Sequence, residues 1–180
     1  QARGNLIAIS DLDAGGGTLQ VSLTPGNGTV TVPTVSGVTP GTSGAATTLT
    51  GTLTNLNTAL AGLQFLPTVD FSGTATLQIA TNDQGNTGLG GAAIDTDTIN
   101  ITVNDVNDAP KNTVPGTLTL AEDATLAFTG ANLISVNDVD VRTGNLQVSL
   151  TAASGTVVLT DNTGLIFSAG SDGKTPVTTM

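Results

Sequence analysis

A chain of 180 residues can hold one large or two small domains, and 38% apolar residues are enough for real cores. Aromatics make up only 2%, with no Trp and no Tyr. The cores are therefore expected to be Val, Leu, Ile and Ala, with the four Phe (Phe65, Phe71, Phe128 and Phe167), which suits β-sandwiches better than helical bundles. The 14 acidic residues against Arg3, Lys111, Arg142 and Lys174 give a net charge of −10, which argues against nucleic acid and anionic membrane surfaces as partners.

There is no cysteine, so no disulfide is expected and the redox compartment is not indicated. No apolar run approaches the ~20 residues of a membrane span, and no signal peptide is expected within these residues. Gln1 is not an initiator, so a processed chain or a segment of a longer one is expected.

In chain order, residues 5–24 (NLIAISDLDAGGGTLQVSLT) come first, and they return as residues 132–151 (NLISVNDVDVRTGNLQVSLT), identical at twelve of twenty positions with an offset of 127. Gly28-Thr29-Val30 returns at the same offset as Gly155-Thr156-Val157, and Thr47-Thr48-Leu49 resembles Thr178-Thr179-Met180 at an offset of 131. A repeat of this length suggests beads on a string, not a solenoid. The expected domains are residues 1–110, a repeat lacking its first strand, and 111–180, the N-terminal part of a second, homologous repeat. The first has no counterpart to residues 116–128.

Leu19, Val21 and Leu23 alternate with polar residues, as do Leu77 and Ile79, and Ile99, Ile101 and Val103; each pattern predicts a half-buried strand. Pro25-Gly26-Asn27-Gly28 reads as a turn between strands. Leu53, Leu56, Leu60 and Leu63 have helical spacing, which predicts a short helix over roughly 53–62 lying across one end of a sandwich. Residues 15–17 and 84–93 read as loops.

The strand ending at Val103 runs into Asn104-Asp105-Val106-Asn107-Asp108-Ala109-Pro110, an oxygen-rich segment between the two repeats. A hard cation there could fix their relative orientation. Asp11-x-Asp13 and its copy Asp138-x-Asp140 each place two carboxylates at a strand end or turn, and the recurrence strengthens a metal reading over solvated turns. Asp95 and Asp97 read as a solvated edge, and Asp123, Asp161 and Asp172 as surface charge. With no His and no Cys, the usual general base, thiolate nucleophile and imidazole ligand are all missing, so no enzyme is expected.

The stretch from Leu77 to Pro110 resembles the last part of a cadherin repeat. Its ending is similar to the Asp-x-Asn-Asp-Asn-x-Pro linker of that family, and Asn82-Asp83-Gln84-Gly85 to its Ala-x-Asp-x-Gly segment. Asp138-Val139-Asp140 resembles the Asp-x-Asp supplied by the following repeat. With Asp70-Phe71-Ser72-Gly73 and Ala121-Glu122-Asp123, the chain looks like the cadherin-like, RTX-type or VCBS-like calcium-binding repeats of giant bacterial surface adhesins. The resemblance implies an all-β fold of tandem Greek-key, cadherin- or Ig-like β-sandwich repeats, here with one short helix in an inter-strand segment.

It also implies a Ca²⁺ site made by Asp105, Asn107 and Asp108 of the linker with Asp138 and Asp140, and with Asp70 from repeat one. Asp70 reads equally as a turn residue bonding its own backbone. A half-site of Asp11, Asp13 and Asp83 would await the linker of a preceding repeat, and Glu122 would face the next one. In this sequence Asn-Asp-Ala-Pro stands where the family has a second Asn, which removes one ligand. The implied role is a calcium-stiffened, rod-like spacer at a bacterial cell surface or in a matrix fibre, with adjacent copies of the repeat as partners. The alternative is a subunit that self-associates into fibres by strand complementation between chains. A carbohydrate-binding sandwich ranks last, because exposed aromatics for stacking on sugars are missing.

Overall fold

A computed structural model describes residues 6–86, 90–161 and 163–167. Asp172, Lys174, Thr178–Met180 and part of the 84–93 loop lie outside the described residues. The chain divides into two compact units, residues 1–140 and 141–180, so residues 111–140 belong with the first.

The elements in order are β1 (Thr18–Gly26), β2 (Gly28–Thr31), β3 (Val38–Ser43), β4 (Ala46–Thr52), α1 (Leu53–Ala61), β5 (Gln64–Pro67), β6 (Gly73–Asn82), β7 (Ile94–Val103), β8 (Lys111–Thr113) and β9 (Ser135–Asn137). The first unit is mostly β. Five strands form an antiparallel sheet in the order β3-β4-β1-β6-β7, while β2–β5 and β8–β9 form two-stranded ribbons.

Alternation decides which face of the sheet is buried. Leu19, Val21 and Leu23 of β1 are buried between Leu49 of β4 and Ala75, Leu77 and Ile79 of β6, while Gln20, Ser22 and Thr24 of β1 lie on the other face. Burying the three β1 side chains contributes on the order of 1.5–3 kcal/mol each. The helix closes this face through Leu56, Ala59 and Leu60, all buried. Thr52 caps it, its hydroxyl accepting the Asn55 N–H, and Gly62 ends it by donating to the Ala59 carbonyl. Nine residues are too few for a stable isolated helix, so α1 owes its stability to that packing. No helix among the described residues is long and apolar enough to cross a membrane.

Three features were not anticipated from the sequence. The expected turn at Pro25–Gly28 does lie between two strands, with Asn27 at φ +57°, but the strands part there: β1 stays in the sheet and β2 pairs with β5. Residues 38–52 form the β3–β4 hairpin, although Pro40, Gly41 and Gly51 lie within it. Gly51 is needed there, because a Cβ would sit 2.7 Å from the Gly37 carbonyl oxygen. In the second unit, Leu146, Val148 and Leu150 repeat the β1 sequence, yet no strand is present there among the described residues.

Candidate metal centre

The linker begins where β7 stops. Beyond Pro110, Lys111–Thr113 pairs antiparallel with Ser135–Asn137, with Lys111 opposite Asn137. That short ribbon carries Asp138 and Asp140 back to the linker from about thirty residues downstream. Asp140 Oδ2 accepts the Asp108 N–H at 2.9 Å, and Asp138 Oδ1 accepts the Asp140 N–H at 3.1 Å. Asn107 Nδ2 donates to the Asp108 carbonyl at 2.9 Å. Asp105, Asn107 and Asp108 are exposed, and Asp138 and Asp140 are half-buried.

Asp70 is exposed at φ +60° in a turn closed by the Phe71 N–H to the Thr68 carbonyl, 3.1 Å. Its turn leads into β6, whose first residue, Gly73, pairs with Val103 at the end of β7. Asp70 therefore sits at the same end of the sheet as the start of the linker. Asp70 thus occupies a turn position next to the linker's start.

The N-terminal trio also lies at one end of its sheet. Asp11 Oδ1 accepts the N–H groups of Asp13 and Ala14, both at 3.0 Å. The first of these bonds recurs between Asp138 and Asp140, so the two copies share this turn of the three-residue motif. Asp13 is held above the usual carboxylate range, first by its side-chain hydrogen bond with Asp11, then by desolvation and the Asp11 charge, with a smaller repulsion from Asp83. Asp83 is held below that range by the Gly85 N–H and then the Ala93 N–H, which donate to its Oδ1 at 2.9 and 2.7 Å. Glu122 and Asp123 are exposed, and Asp123 adopts a positive φ of +64°.

By donor chemistry these residues suit a hard cation, since every candidate offers oxygen and none offers sulfur or imidazole. Among the described residues, however, no three carboxylate, His or Cys side chains stand close enough to form a ready-made cage. Several of the oxygens already accept backbone N–H groups that a coordinating arrangement would have to share.

Two scaffold residues were missed at the sequence level. Asn57 on α1 grips Ile9 from both sides: Oδ1 accepts the Ile9 N–H and Nδ2 donates to the Ile9 carbonyl, each at 2.9 Å. Asn86 Nδ2 donates to the Thr18 carbonyl at 2.7 Å and lies over Gly17, where a Cβ would come within 2.4 Å of its amide. Nothing in the sequence singles out either Asn, because their partners are 48 and 68 residues away.

Two outcomes follow for the scaffold. Asn57→Ala is expected to cost about 1–3 kcal/mol in chemical denaturation, because it leaves both backbone groups of Ile9 without their partner. For Asp83 the folded carboxyl lies below its unfolded value. Its stabilisation is therefore present above the unfolded pKa and lost as pH falls through the folded one. Asp83→Asn is expected to flatten the acid limb of a melting-temperature profile; an unchanged limb would remove Asp83 from that role. Asp13 has the opposite sign, since ionising it costs stability and acidification relieves that cost.

Comparisons with protein-family models, curated proteins and solved structures found no match for this chain.

Proposed function

We propose that the chain is a calcium-stiffened structural repeat, a rod-like spacer in an extracellular bacterial adhesin or matrix fibre, built from tandem sandwich repeats of cadherin-like Greek-key type. Its work is mechanical, and no catalytic step is assigned to it. The observation that carries the reading is the Asp108 N–H to Asp140 Oδ2 bond. It draws the linker and the second Asp-x-Asp together, in a turn that Asp11 and Asp13 reproduce.

A bound Ca²⁺ supplies two positive charges and takes about six to eight oxygen ligands. Asp105, Asn107 and Asp108 would hold it from the linker, Asp138 and Asp140 from the second repeat, and Asp70 from the sheet end of the first. Without it, the clustered carboxylates repel one another across the linker. Asp11, Asp13 and Asp83 would form the matching half-site for a preceding repeat.

The test is a calcium titration followed by small-angle X-ray scattering and thermal melting on one sample. Extension of the particle with a rise in melting temperature, both reversed by chelation, supports the proposal. No change in either would leave the acidic linker as ordinary solvated charge.

A further inference from the structure

We propose that residues 145–151 of one chain add as a sixth strand to the outer edge of β7 in a second copy. The acceptor is the half of β7 nearer the linker. All ten residues of β7 pair with β6, and no strand lies on its other edge among the described residues. From Thr98 to Val103 that edge has no Pro, Gly or charge, and Ile99, Ile101 and Val103 remain only half-buried on the core side. The first half is protected differently. Asp95 and Asp97 stand opposite Thr81 and Ile79, so they carry charge on the core-side face and discourage pairing. The far edge of the sheet, β3, contains Pro40 and Gly41 and is a poor acceptor.

The donor is identified by its twin. Residues 146–151, Leu-Gln-Val-Ser-Leu-Thr, are identical to 19–24, which form the central strand of the sheet. In that strand Leu19, Val21 and Leu23 are 1%, 0% and 0% exposed, whereas Leu146, Val148 and Leu150 are 37%, 57% and 39% exposed. The sequence is thus strand-competent, and what covers it when folded is known: antiparallel neighbours presenting Leu and Ile. The edge of β7 presents Ile99, Ile101 and Val103 at the same two-residue period. Setting Val148 opposite Ile101 places Leu146 by Val103 and Leu150 by Ile99, and extends the core face by one strand.

A second copy's own β1 slot is not the acceptor. Exchange there would expose Leu19, Val21 and Leu23 in order to bury their equals, with no net gain in buried area. Addition at β7 displaces nothing. Donor and acceptor are different surfaces of one chain, so the contact is heterologous and continues into open-ended assemblies. Segment 145–151 carries no charge, but chains at −10 repel, so added salt strengthens the association.

The chain has no cysteine, which permits a clean test. Ser149→Cys and Asn100→Cys are made as separate 180-residue chains, mixed in chelator, and oxidised mildly. Both positions are exposed, and the proposed register sets them opposite each other. A disulfide between residues 149 and 100 of different chains, identified by peptide mass, is the expected product. Sedimentation of the parent chain should show oligomers that grow with concentration and salt. Val148→Asp should weaken them by about tenfold or more, with the thermal melt of the first unit unchanged. A parent that stays monomeric to millimolar concentration overturns the proposal. So do oligomers indifferent to Val148→Asp, or mixed single variants that give no 149–100 link between chains.

Discussion

Val21→Asp is expected to unfold the first unit, whereas Val148→Asp, the same change at the same place in an identical six-residue sequence, should leave folding untouched. Val21 is fully buried between Leu49 and the β6 side chains. The substitution removes about 1.5–3 kcal/mol of apolar burial and puts a carboxylate where no partner can reach it. A loss of more than about 4 kcal/mol is a large fraction of the margin of a small domain. Val148 is more than half exposed, so the new charge there is solvated. Denaturant melts of the two variants beside the parent check both arms. Equal destabilisation would mean that the second copy is packed like the first.

Calcium is expected to separate two variants that sequence reasoning treats as equivalent. Asp108 contributes its backbone N–H to the linker contact, and Asp108→Ala keeps that donor. The variant should therefore match the parent in chelator and fall short of it in calcium. Asp140 supplies the accepting carboxylate, so Asp140→Ala should loosen the linker in both conditions. For one site at ten times its Kd, the calcium-dependent gain is about 1.4 kcal/mol. For a domain of this size that is a shift of about 3–6 °C in melting temperature. Extracellular modules commonly bind at about 0.1–1 mM, so the titration should span that range. If Asp108→Ala gains as much from calcium as the parent does, its carboxylate is not a ligand.

Much of the sheet was legible because it rests on local patterns. Alternation at Leu19-Val21-Leu23, Leu77-Ile79 and Ile99-Ile101-Val103 marks β1, β6 and β7, and helical leucine spacing marks α1. The turn at Asp70 and the exposed carboxylates on β7 were also readable, since both depend on residue chemistry within a few positions. The β3–β4 hairpin was not, because Pro40 and the glycines disguise the edge strand β3 and its neighbour β4, which is held between β3 and β1. The Asn57 and Asn86 clamps were hidden for a related reason: an amide has no signature until its distant backbone partner arrives.

By itself, then, the sequence determined the aliphatic, cysteine-free core, the repeat, the strands with clear alternation and an oxygen-only donor set around a proline-ended linker. The tertiary structure decided which strands become neighbours, and thereby which donors meet. Asp140 reaches Asp108 only because Lys111–Thr113 pairs with Ser135–Asn137. The clearest proof is Leu-Gln-Val-Ser-Leu-Thr, a buried central strand at 19–24 and an exposed, non-strand segment at 146–151. Strand propensity is a property of the segment, but a strand needs hydrogen-bonding neighbours and a covered face, and both come from elsewhere in the chain.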